Sequence, residues 1–137
     1  MKLETQVCSL DLSKRLKELG VAARGYFKWH FDPHHTWELC RSIEGWGGPE
    51  YAAFTVAELG VMLPDFFVSS RYYDAHPVLS RGPFWECHNE GNDEVAGADQ
   101  TVEMMPTEAN ARAAMLAHLL ENKLITVEEV NARLEAA

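Results

Sequence analysis

Thr55-Val56-Ala57-Glu58-Leu59-Gly60-Val61-Met62-Leu63-Pro64 encodes a complete short helix, including its start and its end. A Thr followed three residues later by Glu is a capping box, in which Thr55 accepts from the backbone N–H of Glu58 and the Glu58 side chain returns to Thr55. Pro64 ends the helix, because the residue before a proline is pushed out of the helical region. The stretch carries no nucleophile, metal ligand or phosphate-binding loop, so it specifies structure and not chemistry.

Toward the N-terminus, Ser9 predicts a second helix. It is a favourable cap for a helix that runs to about Leu19, and Gly20 is a typical C-terminal stop. The apolar residues of this segment fall on one stripe, while its charged residues face solvent. The stripe consists of Leu12, Leu16 and Leu19.

Toward the C-terminus, two caps predict two more helices. Thr107 begins the longest helix, from about Glu108 to Asn122. Its predicted buried stripe is Ala109, Ala113, Leu116 and Leu120. Thr126 and Glu129 form another capping box at the start of the last helix. We expect these two helices to form a C-terminal helical hairpin.

Between the helices, segments in which large apolar residues alternate with polar ones predict strands. The segments 26–31 and 36–41 alternate around the turn-rich 32–35 and indicate a β-hairpin. The register that we expect gathers the large apolar side chains on one face and places Lys28 opposite Glu38 on the other. Its pairs are Trp29 with Trp37, Phe27 with Leu39, Lys28 with Glu38 and His30 with Thr36.

Further strands are predicted at 51–54, 83–88 and 101–105, whereas 42–50 and 89–97 have the glycine-rich or polar composition of loops. The pattern of 65–82 fits either a strand or a packed loop. No repeat or linker divides the chain. The sequence therefore predicts one α+β domain over 1–137, with an antiparallel sheet packed against helices.

Composition narrows the class of protein. The 137 residues are 47% hydrophobic and 24% charged, with a net charge of −9. This acidity disfavours direct nucleic-acid binding, which needs clustered cations, but it suits a basic partner, including a DNA-binding protein. No apolar run is long enough to span a membrane, and residues 1–5 lack the apolar core of a signal peptide. We expect a cytoplasmic protein with reduced Cys8, Cys40 and Cys87.

The six histidines and three cysteines raise the question of a metal site. In the expected register, His30 and Cys40 share a face but lie four strand positions apart, about 13 Å, so one zinc ion cannot bridge them. Cys87 and His88 are consecutive and point to opposite faces of a strand. His34 and His35 at the turn remain the metal candidates, although adjacent turn histidines are usually solvated, and we expect no metal and no cofactor.

Catalytic groups are not apparent. Nucleophilic catalysis needs a Cys or Ser activated by a base, and Cys40 and Cys87 lack a known local signature. Cys8, just before the first helix, is either a thiol of lowered pKa or a buried apolar side chain, and burial is the favoured interpretation. We therefore assign no catalytic residue.

Three aromatic residues are candidates for partner binding: Trp46, Tyr72 and Tyr73. Trp46 lies among glycines, where it is either an exposed anchor for a partner or a lid folded onto the sheet. Trp29, Trp37 and Trp85 occupy strand positions and are expected to lie in the core. A small-molecule pocket between sheet and helices, walled by aromatics such as Trp46 and Tyr73, is a further alternative.

Several blocks of the chain resemble a family of small, uncharacterised bacterial and prophage-borne proteins. These blocks are 6–10, 16–21, 53–60, 62–64, 107–109 and 119–122. The family has no assigned activity, so the resemblance implies a phage or mobile-element context. Residues 120–130 also resemble short C-terminal helical motifs used for association, which adds a homodimer as an alternative to a different protein partner.

Together these observations predict a non-catalytic, phage-related interaction protein with a protein partner. A sharper form of the hypothesis is an acidic decoy for a host or phage DNA-binding protein. The alternatives are a small metal-dependent enzyme that uses His and Cys residues of the sheet and its turns, and a small-molecule binder.

Overall fold

The structure is a computed structural model that describes residues 2–34, 36–42, 50–63, 67–72, 83–88 and 101–136. It contains helices and antiparallel strands, so the predicted α+β class is confirmed. The helices are α1 (Leu10–Glu18), α2 (Val56–Met62), α3 (Glu108–Glu121) and α4 (Val127–Ala136). The strands are β1 (Phe27–Phe31), β2 (Trp37–Arg41), β3 (Glu50–Ala52), β4 (Phe67–Tyr72), β5 (Pro83–His88) and β6 (Thr101–Met105).

The strands form two three-stranded sheets rather than one. The first sheet has the order β2-β1-β3 and the second has the order β4-β5-β6. Helix α1 packs against β3 and α3, and α3 packs against all three strands of the second sheet. The N-terminal half of the chain thus builds its own sheet, and this sheet positions the candidate site.

Helix α3 lies at the centre of the core. All four residues of its predicted stripe are buried, and so are Ala111, Met115, Ala117 and Leu119. The predicted stripe was too narrow because α1, α2 and the second sheet surround α3 from different directions. Helix α4 packs against α2, so the expected helical hairpin is not confirmed.

The capping box of α2 is confirmed and also holds tertiary structure. The Thr55 hydroxyl accepts from Glu58 N–H at 3.2 Å, and Glu58 Oε1 accepts from Thr55 N–H at 3.0 Å. At the C-terminal end of α2, Leu63 has the extended ψ of 133° that ends the helix. Glu58 is also close to Gly25, whose φ is +152° and where an added Cβ would lie 2.8 Å from Glu58 Oε2. The start of α2 is therefore fixed against the segment that leads into β1.

The register predicted for the hairpin is wrong by two residues. The structure pairs Phe27 with Arg41, Lys28 with Cys40, Trp29 with Leu39, His30 with Glu38 and Phe31 with Trp37. Asp32 and Thr36 belong to the turn, since Asp32 N–H donates to Thr36 O at 3.0 Å and the Asp32 carboxylate accepts from His34 N–H at 2.9 Å. A shift of two preserves which side chains share a face, so the predicted faces are correct although the pairs are not.

The other predicted strands agree with the structure to different extents. Strands β5 and β6 have the predicted bounds. Strand β3 begins at Glu50, which the sequence placed in a loop, and β4 settles the ambiguous 65–82 as a strand over Phe67–Tyr72. The turn predicted at 89–97 lies outside the described residues. Within the parts of the chain that the structure describes, no helix has the length and apolar character needed to cross a bilayer.

Candidate interaction site on the first sheet

Lys28 and Glu50 form a buried ion pair on one face of the first sheet. The Lys28 Nζ lies 3.0 Å from each Glu50 carboxylate oxygen. Only 5% of Lys28 and 7% of Glu50 are exposed. Removing two charges from water is costly and is tolerated where the opposite charge and hydrogen bonds meet them. The pair therefore ties β1 to β3 and favours the register that brings the two residues together.

His30 extends this cluster toward solvent. It lies directly opposite Glu50 in the pairing of β1 with β3, and its Nδ1 is 3.0 Å from Glu50 Oε1. The His30 side chain is 44% exposed. Because an ionised carboxylate only accepts hydrogen bonds, the contact requires the proton on Nδ1. Glu50 thus holds the orientation of a half-exposed imidazole.

The opposite face of the first sheet carries three aromatic rings in tilted contact, with two lysines of α1 over them. The ring centroids of Phe31 and Trp37 are 5.3 Å apart, and those of Trp37 and Tyr51 are 5.5 Å apart. The Lys14 Nζ lies 5.0 Å from the Trp37 ring centroid, and the Lys17 Nζ lies 5.0 Å from that of Tyr51. We call these five side chains the aromatic–lysine surface.

The aromatic–lysine surface has the composition of a recognition site. Phe31 is 40% exposed, Trp37 and Tyr51 are half-buried, and Lys17 is exposed. Lys17 also donates to the Glu50 backbone carbonyl at 3.2 Å, so its position is fixed. Aromatic side chains are enriched in protein interfaces, where rigid rings provide contact area at low entropic cost. The surface also concentrates positive charge on a chain whose net charge is −9.

The residues predicted as sites are not brought together by the described structure. His34 is an exposed turn residue, while His35, Trp46 and Tyr73 lie outside the described residues. Tyr72 ends β4, where its backbone pairs with Pro83.

The geometric argument against a His30 and Cys40 site used the wrong register. In the observed register His30 is opposite Glu38, so Cys40 is two positions along β2, about 7 Å rather than 13 Å. Even so, the described ranges contain no group of three His, Cys, Asp or Glu side chains arranged to hold a metal ion.

Cys8 is a buried thiol. It is fully inaccessible, its Sγ lies 3.2 Å from Ser13 Oγ, and its backbone N–H donates to Phe54 O at 3.0 Å. Burial raises the pKa of the Cys8 thiol above its ordinary value, despite the hydrogen bond to Ser13. The predicted apolar role of Cys8 is confirmed, since a lowered pKa is the opposite of what its environment produces.

We expect Cys8 to resist thiol reagents in the folded protein. A variant whose only cysteine is Cys8 should react with an aromatic disulfide reagent at least about 100-fold more slowly than a variant whose only cysteine is the half-buried Cys40. The measurement is the absorbance change at pH 8, with urea-unfolded samples as controls that should react alike. Equal rates for the two folded variants would contradict the burial of Cys8.

Sequence reasoning missed two features of this site. The sequence pattern predicts a loop at Glu50, because nothing in it shows that Lys28 is buried and therefore needs a carboxylate partner. Glu38 is the acidic residue nearer to Lys28 in the sequence and the partner that the predicted register gives it, but the Glu38 side chain is exposed. Trp37 was expected in the core, whereas it lies in the aromatic–lysine surface beside exposed Phe31.

Comparisons with protein-family models, with curated proteins and with solved structures find no match to this chain.

Proposed function

We propose that this chain is an interaction protein that binds a protein partner through the aromatic–lysine surface. The observation that carries the proposal is the cluster of Phe31, Trp37 and Tyr51, whose rings are in tilted contact, with Lys14 and Lys17 over the rings. The sheet supports the rings from behind, and the lysines over the rings complement acidic side chains. Interfaces concentrate binding energy in such aromatic residues. The role that we propose for this surface is binding, which uses the shape and charge of these side chains and requires no reaction.

Replacing Trp37 with Ala should weaken partner binding by about 30-fold, equivalent to about 2 kcal/mol, because the change removes the ring that contacts both neighbours and Lys14. The measurement is quantitative mass spectrometry of proteins captured from bacterial lysate by wild-type and variant chains. Tyr26→Ala is the matched control, since Tyr26 is 73% exposed and precedes β1, at the end away from Phe31.

The proposal requires a partner captured by wild type and Tyr26→Ala but not by Trp37→Ala. Equal capture by all three proteins, or no specific capture, would refute it.

The net charge of −9 supports a second candidate function, an acidic decoy for a host or phage DNA-binding protein. Repeating the capture at about 0.1 M and 1 M salt distinguishes the two candidates. A charge-dominated decoy complex should disappear at high salt, where the Debye length falls to about 3 Å. A complex centred on the aromatic rings should largely persist.

The biological setting is proposed on the sequence alone. The resemblance to prophage-borne proteins supports a phage-related role, and the sequence favours a cytoplasmic location. A homodimer remains an alternative partner, supported by the association-like motif at 120–130. Equilibrium sedimentation decides that point, because a dimer would double the mass.

A further inference from the structure

The outer edge of β2 directs backbone groups away from the first sheet, since β2 lies at one end of the order β2-β1-β3. At the turn, Asp32 N–H donates to Thr36 O at 3.0 Å, and at the other end Ser42 N–H donates to Tyr26 O at 3.1 Å. Hydrogen-bonded and non-hydrogen-bonded pairs alternate along an antiparallel ladder, so every second residue of β2 directs its N–H and C=O away from β1. These residues are Trp37, Leu39 and Arg41.

The outward groups of β2 can receive another strand. Within the described parts of the chain, they make no hydrogen bond. A row of unpaired N–H and C=O groups at a sheet edge pairs readily with an extended peptide. Successive outward residues are two positions apart, about 7 Å, which matches every second residue of an added strand. The edge therefore favours an extended segment as its occupant.

The edge of β2 adjoins the aromatic–lysine surface. Because side chains alternate along a strand, Trp37, Leu39 and Arg41 lie on the face that carries the aromatic rings. Arg41 is exposed, and the Lys14 Nζ lies 5.0 Å from the Trp37 ring centroid. Among the described residues, Arg41, Lys14 and Lys17 form no ion pair with a carboxylate. Their positive charge is therefore available to a partner.

The carboxylates of α1 and of the first sheet do not neutralise these cations. Glu38 and Glu50 occupy positions on the opposite face of the sheet. Glu18 accepts from Arg15 Nη1 at 3.3 Å. Asp11 lies in the first turn of α1, where the helix dipole favours a negative charge. An acidic segment thus complements the edge, although the chain as a whole has a net charge of −9.

A second copy of the chain fits this edge less well than an acidic segment does. Pairing β2 with β2 of another copy would bring the Arg41 and Lys14 side chains of both copies to one boundary, where like charges repel. Both copies also have the net charge of −9, which opposes their association. The observations therefore favour a segment of a different protein.

We propose that the protein partner adds an acidic, extended segment to β2 as an antiparallel strand. Backbone hydrogen bonds to Trp37, Leu39 and Arg41 hold the segment, and its acidic side chains face Arg41 and Lys14. This inference rests on the proposed function, because it names the kind of segment that the aromatic–lysine surface binds.

The test is an NMR titration of the full ¹⁵N-labelled chain with a peptide of alternating Glu and Val, and with a Lys–Val peptide of the same length as the matched cation. The net charge of −9 attracts the cationic peptide, so a preference for the acidic one has to come from the local cations. The Glu–Val peptide should bind at least about tenfold more tightly. At saturation it should slow hydrogen exchange of the Trp37, Leu39 and Arg41 amides at least about tenfold. Equal affinity, tighter binding of the Lys–Val peptide, or unchanged exchange would overturn the proposal.

Methylated peptides test the strand pairing with the wild-type chain. Directly opposite residues of an antiparallel pair share a face, so the Glu residues that face the cations are also those whose N–H groups bond to β2. N-methylation of every Glu should abolish binding, whereas N-methylation of every Val should leave the affinity within about threefold. The reverse result, or equal binding of both methylated peptides, would overturn the proposal.

Variants separate this inference from the proposed function. Leu39→Pro removes one outward N–H and leaves the hydrogen bonds to β1 in place, since proline is tolerated on edge strands. It should weaken Glu–Val binding at least about tenfold, while Leu39→Val, which keeps the N–H, should stay within about twofold of wild type. If Leu39→Pro disturbs the fold, the methylated peptides decide the same point.

The two proposals fail in different ways. Partner capture that is lost in Trp37→Ala but unchanged in Leu39→Pro would overturn the added strand and retain the proposed function. Peptide binding that is lost in Leu39→Pro but unchanged in Trp37→Ala would support the added strand and contradict the proposed role of the rings.

Discussion

Replacing Lys28 with Met is expected to lower the free energy of unfolding by about 3–5 kcal/mol. The change keeps the length of the side chain but removes the ammonium that lies 3.0 Å from both Glu50 carboxylate oxygens. It leaves a buried carboxylate without that opposite charge, which is the costly way to break an ion pair. Since small domains are stable by only about 5–15 kcal/mol, the loss is a large fraction of the total. Urea unfolding followed by circular dichroism measures it.

Two controls separate the buried charge from other effects of substitution. The double variant Lys28→Met/Glu50→Leu removes both charges and should recover most of the loss, to within about 2 kcal/mol of wild type. Arg15→Ala breaks exposed contacts to Glu18 and Glu121 and should leave the urea midpoint nearly unchanged. A Lys28→Met variant as stable as Arg15→Ala would show that the ion pair does not hold the first sheet.

Leu116→Ala is expected to destabilise the protein by about 2–5 kcal/mol. Leu116 is fully buried in α3, which contacts α1, α2 and the second sheet. Truncation leaves a cavity between elements that cannot all move inward at once, so both burial and packing are lost. The same urea measurement applies to this variant.

Val61→Ala in α2 is the matched control, because Val61 is an apolar helix residue that is 41% exposed. It should cost less than about 1 kcal/mol. If Leu116→Ala and Val61→Ala destabilise equally, α3 is not the central helix of the core.

The elements that the sequence predicts well are those with local causes. The caps Ser9, Thr55 and Thr107 each accept from the backbone N–H three residues later, within the same short stretch of chain. Each helix start is therefore readable from adjacent residues. The alternation of 27–31 and 37–41 likewise fixes which side chains share a face.

The features that the sequence does not predict depend on residues far apart in the chain. The pairing of β1 with β3 depends on the contact of Lys28 with Glu50, two residues that lie 22 positions apart with β2 between them. Helix α3 is buried on several sides because α1, α2 and the second sheet surround it. The spacing of its apolar residues in the sequence predicts only one buried stripe. The aromatic–lysine surface combines α1 with three strands, so no single segment contains it.

The most direct test of where the partner binds is photo-crosslinking in living cells, with benzoylphenylalanine placed at Phe31 or at Tyr26. Both positions are exposed aromatic residues at opposite ends of β1, so both should tolerate the substitution. We predict a crosslinked partner band from position 31 and none from position 26. Crosslinks from position 26 alone, or from neither position, would contradict binding through the aromatic–lysine surface.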